Sequence, residues 1–196
     1  MPRQPRQIYD GGYYHIVTRG NDGKVLFRVN ADFEYFKTLV REEMSGRGVC
    51  IHNYCLMKNH VHLLLNAVKA GDMPVFIKYL LQRYARYFGK QYEHKGYLFQ
   101  NRYKSIAIDK DSYLLECARY IERNPVRAGI AAVADEYPWS SCSHYTKGRD
   151  DDIVAKDNPA YIWLSDDASE RRRLNKIYLE EDRPYEHLVA QGLGMR

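Results

Sequence analysis

Two apolar runs with a two-residue polar break between them, VCIHNYCLM (49–57), Lys58-Asn59 and HVHLLLNAV (60–68), constrain this chain more than any other feature. The first is rich in β-branched and aromatic residues, and the two read as strands joined in a hairpin. On the second strand side chains alternate, so His60, His62 and Leu64 project to one face and Val61, Leu63 and Leu65 to the other. The aliphatic set is the natural helix-facing core. That leaves the histidines on the open face of the sheet, close enough together to grip one ion. Two histidines make an incomplete site, and two ordinary half-exposed side chains meet the same spacing. A third ligand has to come from elsewhere.

The remaining periodicities set the architecture. GGYYHIVTRGN (11–21) reads as a first strand ending in a turn. ADFEYFKTLVREEM (31–44) carries Phe33, Phe36, Leu39 and Val40 at helical spacing. MPVFIKYLLQRYARYFGKQ (73–91) is a second helix, with Ile77, Leu80, Leu81, Tyr84 and Phe88 on one face and Arg83, Arg86 and Lys90 on another. GYLFQNRYKSIAID (96–109) reads as loop then strand, and DSYLLECARYIERN (111–124) as a third helix stopped by Pro125. This order predicts an α+β fold, a ferredoxin-like antiparallel sheet with helices packed on one face. EYPWSSCSHY (136–145) reads as an ordered end of the core with Trp139 packed, and KGRDDDIVAKDNP (147–159) as a polar link. Helical stretches follow around Glu170–Leu179 and Tyr185–Ala190. The expected organisation is a domain over 1–149 and a C-terminal extension over 150–196 to which no motif assigns a role.

Length and composition narrow the class. The 196 residues suit one domain with an appendage. No apolar run approaches the ~18 residues of a membrane span, and MPRQPRQIYD lacks a signal-peptide apolar stretch, so a soluble, cytoplasmic protein is expected. Cys50, Cys55, Cys117 and Cys142 form no C-x-x-C pair, which points to buried free thiols rather than a zinc ribbon or disulfide framework. Charge is uneven: residues 1–130 hold 21 Lys and Arg against 12 Asp and Glu, whereas 131–196 hold 9 against 13. A basic body fits a polyanionic partner, and 18 tyrosines, many beside Lys or Arg, fit single-stranded nucleic acid, where bases stack and phosphates need cations.

A strand-cutting site built on the two histidines wants a tyrosine on a rigid element, and a carboxamide one helical turn away would add an oxygen ligand. Tyr followed four residues later by Asn or Gln occurs at Tyr87/Gln91, Tyr97/Asn101 and Tyr120/Asn124. On the third helix Leu114, Ala118 and Ile121 form the core stripe, while Tyr113, Cys117, Tyr120 and Asn124 form a second stripe at its rim. Tyr120 is the better placed, but spacing alone does not exclude the others.

CLMKNHVHLLL (55–65) resembles the His-hydrophobic-His (HUH) motif of the single-tyrosine transposases of small insertion sequences. GYLFQNRYKS, ARYIERNPVRAG, GGYYHIVTRGN and EYPWSS are similar to further blocks of that family in order, from about residue 8 to 145, and look most like its REP-associated branch. The resemblance implies that His60 and His62 bind metal, that Tyr120 is the catalytic nucleophile, and that Asn124 is a further metal ligand. It implies Mg²⁺ or Mn²⁺ as cofactor and a 5′-phosphotyrosine intermediate. It also implies, as partner, single-stranded DNA with hairpins, whether REP-like or insertion-sequence ends, handled by a monomer or homodimer. Relatives often have Pro where this chain has Lys58, a cation from which an added phosphate contact beside the site is expected.

Candidate strand-binding cations are Arg3 and Arg6 in an N-terminal arm, Lys58, and Arg83, Arg86 and Lys90 on the second helix, with Arg102, Lys104, Arg119, Arg123 and Arg127. Two rivals stand beside this reading. One is a replication-initiator or relaxase-type HUH nuclease, whose motif order and size differ. The other is a non-catalytic module that binds single-stranded nucleic acid on a ferredoxin-like sheet.

Overall fold

The computed structural model describes residues 7–108 and 111–181, and the expected helical stretch at 185–190 lies outside them. The elements run β1 (Tyr13–Arg19), α1 (Asn30–Met44), β2 (Val49–Met57), β3 (His60–Ala67), α2 (Asp72–Tyr92), β4 (Lys104–Ile108), α3 (Asp111–Glu122), α4 (Asn124–Arg127), α5 (Cys142–Lys147), α6 (Pro159–Ile162) and α7 (Ala168–Glu180). The two apolar runs do form a hairpin, with Met57 opposite His60 across the Lys58-Asn59 turn. β1 pairs with β3 and with β4, so the antiparallel sheet has the order β2-β3-β1-β4 of a ferredoxin-like fold. In β2 the extra residue His52 sits between the Ile51–Leu65 and Asn53–Leu64 pairs. This bulge turns Ile51 and Tyr54, three residues apart, toward the same core.

As expected, α1 and α2 pack on one face of the sheet. Phe36, Leu39, Val40, Phe76, Leu80 and Tyr84 meet Val61, Leu63 and Leu65 there, together with Tyr14 and Ile16 of β1. The opposite face is not open, which corrects the sequence reading. α3 lies across it, and Leu114, Cys117, Ala118, Tyr120 and Ile121 pack on Cys55, Met57 and Leu64. A helix with an apolar stripe has to bury it, and this face offers the apolar partners. Cys55, Cys117 and Cys142 are buried free thiols, whereas Cys50 is partly exposed. No helix among the described residues is long and apolar enough to cross a membrane.

The stretch beyond α4 is stitched to this body. Trp139 stacks on Phe33 with ring centroids 4.5 Å apart. The Leu56 amide donates to Trp139 O at 2.8 Å and the Ser141 amide to Tyr54 O at 3.0 Å, so this segment runs along the outer edge of β2. The segment read as a polar link continues that cover. Ile153 and Val154 enter the core, the Ala155 amide donates to Ile51 O at 2.7 Å, and Tyr54 donates to Asp151 at 2.6 Å.

A polar network is sealed behind α3. Asn53 Nδ2 and Ser141 Oγ donate to Glu122 Oε1 at 2.8 and 2.7 Å, and Asn158 Nδ2 donates to Asn53 Oδ1 at 3.1 Å. Burial pushes the Glu122 carboxyl up to about 7 although these donors pull it down. A carboxyl whose folded pKa exceeds its unfolded one takes up a proton on folding between the two values, so its contribution falls as pH rises from about 4.5 to about 7, by on the order of 3 kcal/mol. Glu122→Gln keeps the acceptor oxygen and removes the ionisation. We expect the variant to be more stable than wild type in urea at about pH 8, with the advantage largely gone at about pH 5.

Candidate active site

The β1–β3 pairing sets Val17 opposite His62 and Arg19 opposite His60. Alternation along β1 then turns His15, Val17 and Arg19 to the α3 face, beside the two histidines of β3. His62 is 0% exposed, its ring centroid 5.0 Å from that of His60, and its Nδ1 lies 2.9 Å from His15 Nε2. Burial, with the charge of Arg19, pushes His60 down to about 4. Burial, the neighbouring histidines and the charges of Arg19 and Arg127 hold His62 well below the ordinary imidazole value. Both rings are therefore neutral at pH 7, the state a metal ligand requires.

α3 closes the site from above. Tyr120 is 2% exposed, its ring edge-on to His62 at 5.8 Å and to His15 at 5.9 Å. Arg127 lies over the same ring, with Cζ 4.6 Å from the centroid, and its guanidinium hydrogen-bonds the phenol. Burial pushes the Tyr120 pKa up, and the charges of Arg127 and Arg19 oppose that shift.

Asn124 sits where α3 breaks before Pro125. Pro125 has no N–H to serve the Ile121 carbonyl. Asn124 Nδ2 takes that place, donating to Ile121 O at 3.3 Å and to Tyr120 O at 2.8 Å. With its NH₂ directed at the helix end, the amide oxygen is the group left for a ligand, and the Asn124 side chain reaches His60.

His60 Nε2 and His62 Nε2 are both buried and have no hydrogen-bond partner. Two bare imidazole nitrogens and one carboxamide oxygen suit a divalent cation in their chemistry. Among the described residues no cluster of three or more His, Cys, Asp or Glu forms a metal group, so the candidate set is two imidazoles with an amide.

The other tyrosines are elsewhere. Tyr87 donates to Asp32 at 2.8 Å and stacks on Tyr35, on the α1–α2 side of the sheet. Tyr97 is 86% exposed in the loop before β4.

Residues 9–124 match the family model described as transposase, IS200-like. The chain belongs to the IS200-like transposase family. A Haemophilus influenzae protein named as a candidate REP-associated tyrosine transposase is 29% identical over 44% of this chain, and the chain spans 55%, about half, of that relative's length. A solved structure of a REP-associated tyrosine transposase bound to a REP hairpin superposes with a TM-score of 0.66 at 15% identity, covering 80% of this chain and 98% of that one, a likeness of fold.

In this member of the IS200-like transposase family the cations named from sequence fall into distinct surroundings. Arg3 and Arg6 lie outside the described residues. Lys58 is exposed at the β2–β3 turn and lines one cleft with Lys24 and Arg28. Arg102 and Lys104 line another with Arg19, Gln100 and Asn101. Arg83, Arg86 and Lys90 belong to α2, behind the sheet as seen from the histidines, and Arg83 is paired with Glu42 and Glu43. Arg119 is not a surface cation. It is 1% exposed, donates to Tyr178 O at 2.8 Å and also bonds Glu181 O, while Arg123 bonds Leu179 O. These carbonyls close the C-terminal turn of α7, where positive charge is favoured.

His15 and Arg19 are the site residues that the sequence reading missed. Alternation within YYHIVTR was the available signal, but it acquires meaning only once β1 is known to lie beside β3. Arg119→Met should lower stability by roughly 2–4 kcal/mol by removing a buried charged donor, whereas Arg102→Ala at the surface should change it by less than about 0.5 kcal/mol. Urea denaturation of the two variants measures both effects.

Proposed function

We propose that this IS200-like transposase cuts and rejoins single-stranded DNA beside hairpins, with Tyr120 as nucleophile. The observation that carries the reading is the meeting of Tyr120 with buried His62, which stands beside half-buried His60, the Nε2 atoms of both histidines being buried without a partner. His60, His62 and Asn124 would hold the cation, Mg²⁺ or Mn²⁺, which when bound supplies polarisation of the scissile phosphate and offsets charge on the leaving oxygen. The Tyr120 oxygen forms a bond to phosphorus as the bond to the 3′ oxygen breaks. The products are a 5′-phosphotyrosine and a 3′-hydroxyl, and the proton lost by the phenol is balanced by the one gained at the 3′ oxygen. The covalent link conserves the phosphodiester for rejoining, when an incoming 3′-hydroxyl reverses the step. Arg127, against the phenol, stabilises phenolate character and the charge that builds on the phosphoryl oxygens. Lys24, Arg28 and Lys58 on one side, and Arg19, Arg102 and Lys104 on the other, give the strand's phosphates cationic flanks.

The REP-associated relatives support hairpin DNA as the partner of this chain, because one of them was solved with a REP hairpin. Incubation with a hairpin-bearing single strand and Mn²⁺, followed by denaturing electrophoresis, should give a covalent protein–DNA adduct. Tyr120→Phe should give none, chelator should suppress it, and Arg127→Met should slow it by roughly 10²-fold, the scale of losing one donor to developing charge. Binding without cleavage under every condition would return the chain to the class of passive single-strand binders. Separately, affinity for a single strand should fall steeply between about 50 and 200 mM salt if several phosphates are neutralised, and a flat response would remove the cationic flanks from the account.

A further inference from the structure

His15 has no part in the site as inferred from sequence, yet it touches both of the site's principal groups. Its Nε2 lies 2.9 Å from His62 Nδ1 in a fully buried contact, and its ring meets the edge of Tyr120 at 5.9 Å. It stands on β1, held by backbone pairing on both sides, opposite Leu64 of β3 and Ile106 of β4. A side chain anchored on a central strand is a rigid reference for its neighbours.

Two neutral imidazoles joined nitrogen to nitrogen must divide one donor and one acceptor between them, and a neutral ring carries a single N–H. If His15 Nε2–H donates to His62 Nδ1, the His62 proton sits on Nε2. That atom is buried with no hydrogen-bond acceptor, an arrangement that costs about 1–3 kcal/mol. If instead His62 Nδ1–H donates to His15 Nε2, the His62 Nε2 is a bare lone pair aimed into the site. Only the second arrangement lets His62 act as a ligand. Metal-bound histidines generally have their other nitrogen fixed in this way by an acceptor.

We propose that His15 is a positioning residue, the acceptor that holds His62 in its Nδ1–H tautomer so that Nε2 is presented, unprotonated and correctly turned, to the cation. The inference rests on reading His60 and His62 as metal ligands, and it assigns to this chain's β1 a duty separate from theirs. Glutamine places its carboxamide oxygen close to the position of imidazole Nε2, so His15→Gln preserves the acceptor. His15→Leu preserves bulk and burial but removes it.

Two measurements test this without DNA and without turnover. Mn²⁺ binding, followed by the loss of the free-ion electron paramagnetic resonance signal, should weaken roughly 10–100-fold in His15→Leu and return to within about threefold of wild type in His15→Gln. Long-range ¹H–¹⁵N spectra of the imidazoles, with Mg²⁺ present, should show His62 as the Nδ1–H tautomer in wild type and in His15→Gln, and not in His15→Leu. Undiminished Mn²⁺ affinity in His15→Leu overturns the assignment of His15 and leaves the metal reading intact. So does a Gln variant as weak as Leu, or a wild-type His62 carrying its proton on Nε2. If the wild-type protein binds no Mn²⁺, the metal reading itself fails and the role of His15 fails with it, whatever the tautomer. Should His15→Leu not fold, the Gln variant and the wild-type tautomer decide the matter together.

Discussion

The register between β1 and β3 is the constraint on which the rest depends. Val17 opposite His62 and Arg19 opposite His60 put three imidazoles and a guanidinium on one face at the middle of the sheet. Side chains repeat every two residues along a strand, so a slip of a single residue would send His15 and Arg19 into the α1–α2 core and Tyr14 and Ile16 out of it. The apolar set on the back of each strand therefore fixes the polar set on its front. Tyr14, Ile16, Val61, Leu63 and Leu65 hold the site in place without touching it.

Covering that front face with α3 changes the chemistry of what lies beneath. On an open sheet the histidines would titrate near their ordinary values; under Leu114, Cys117, Ala118 and Tyr120 they stay neutral. The same burial disfavours the phenolate that a nucleophilic tyrosine needs. The structure answers with positive charge rather than a base: Arg127 against the ring and Arg19 across the site. Burial and cation thus work in opposite directions on the one oxygen, in a site whose imidazoles stay neutral.

How far the sequence spoke depends on the range of the interactions involved. The hairpin, the helical stripes and the apolar backing of His60 and His62 are local patterns, and the structure carries them where the periodicities placed them. Tyr120 and Asn124 were legible as a pair one turn apart, and Pro125 after Asn124 explains how the carboxamide is oriented. Less legible was whatever depends on which elements meet. His15 and Arg19 needed the β1–β3 pairing, and the full burial of His62 needed the placement of α3. Arg119 looked like any other basic residue on a helix, because its partners are backbone carbonyls some sixty positions further on. The stretch 147–159 has no periodicity, yet Ile153 and Val154 are core residues, since a chain lying along a strand edge needs only a few apolar anchors.

The cover along the outer edge of β2 bears on how copies of this chain can meet. A bare edge strand offers its backbone to any passing strand, and extension of a sheet from one molecule into the next begins there. Here the amide of Leu56 and the carbonyls of Ile51 and Tyr54 are already engaged by the chain's own later segments. The opposite rim of the sheet is β4, five residues long and opening on Lys104. Among the described residues, joining sheet to sheet through β2 is thus closed, and two copies that associate on that side have to do so through side chains.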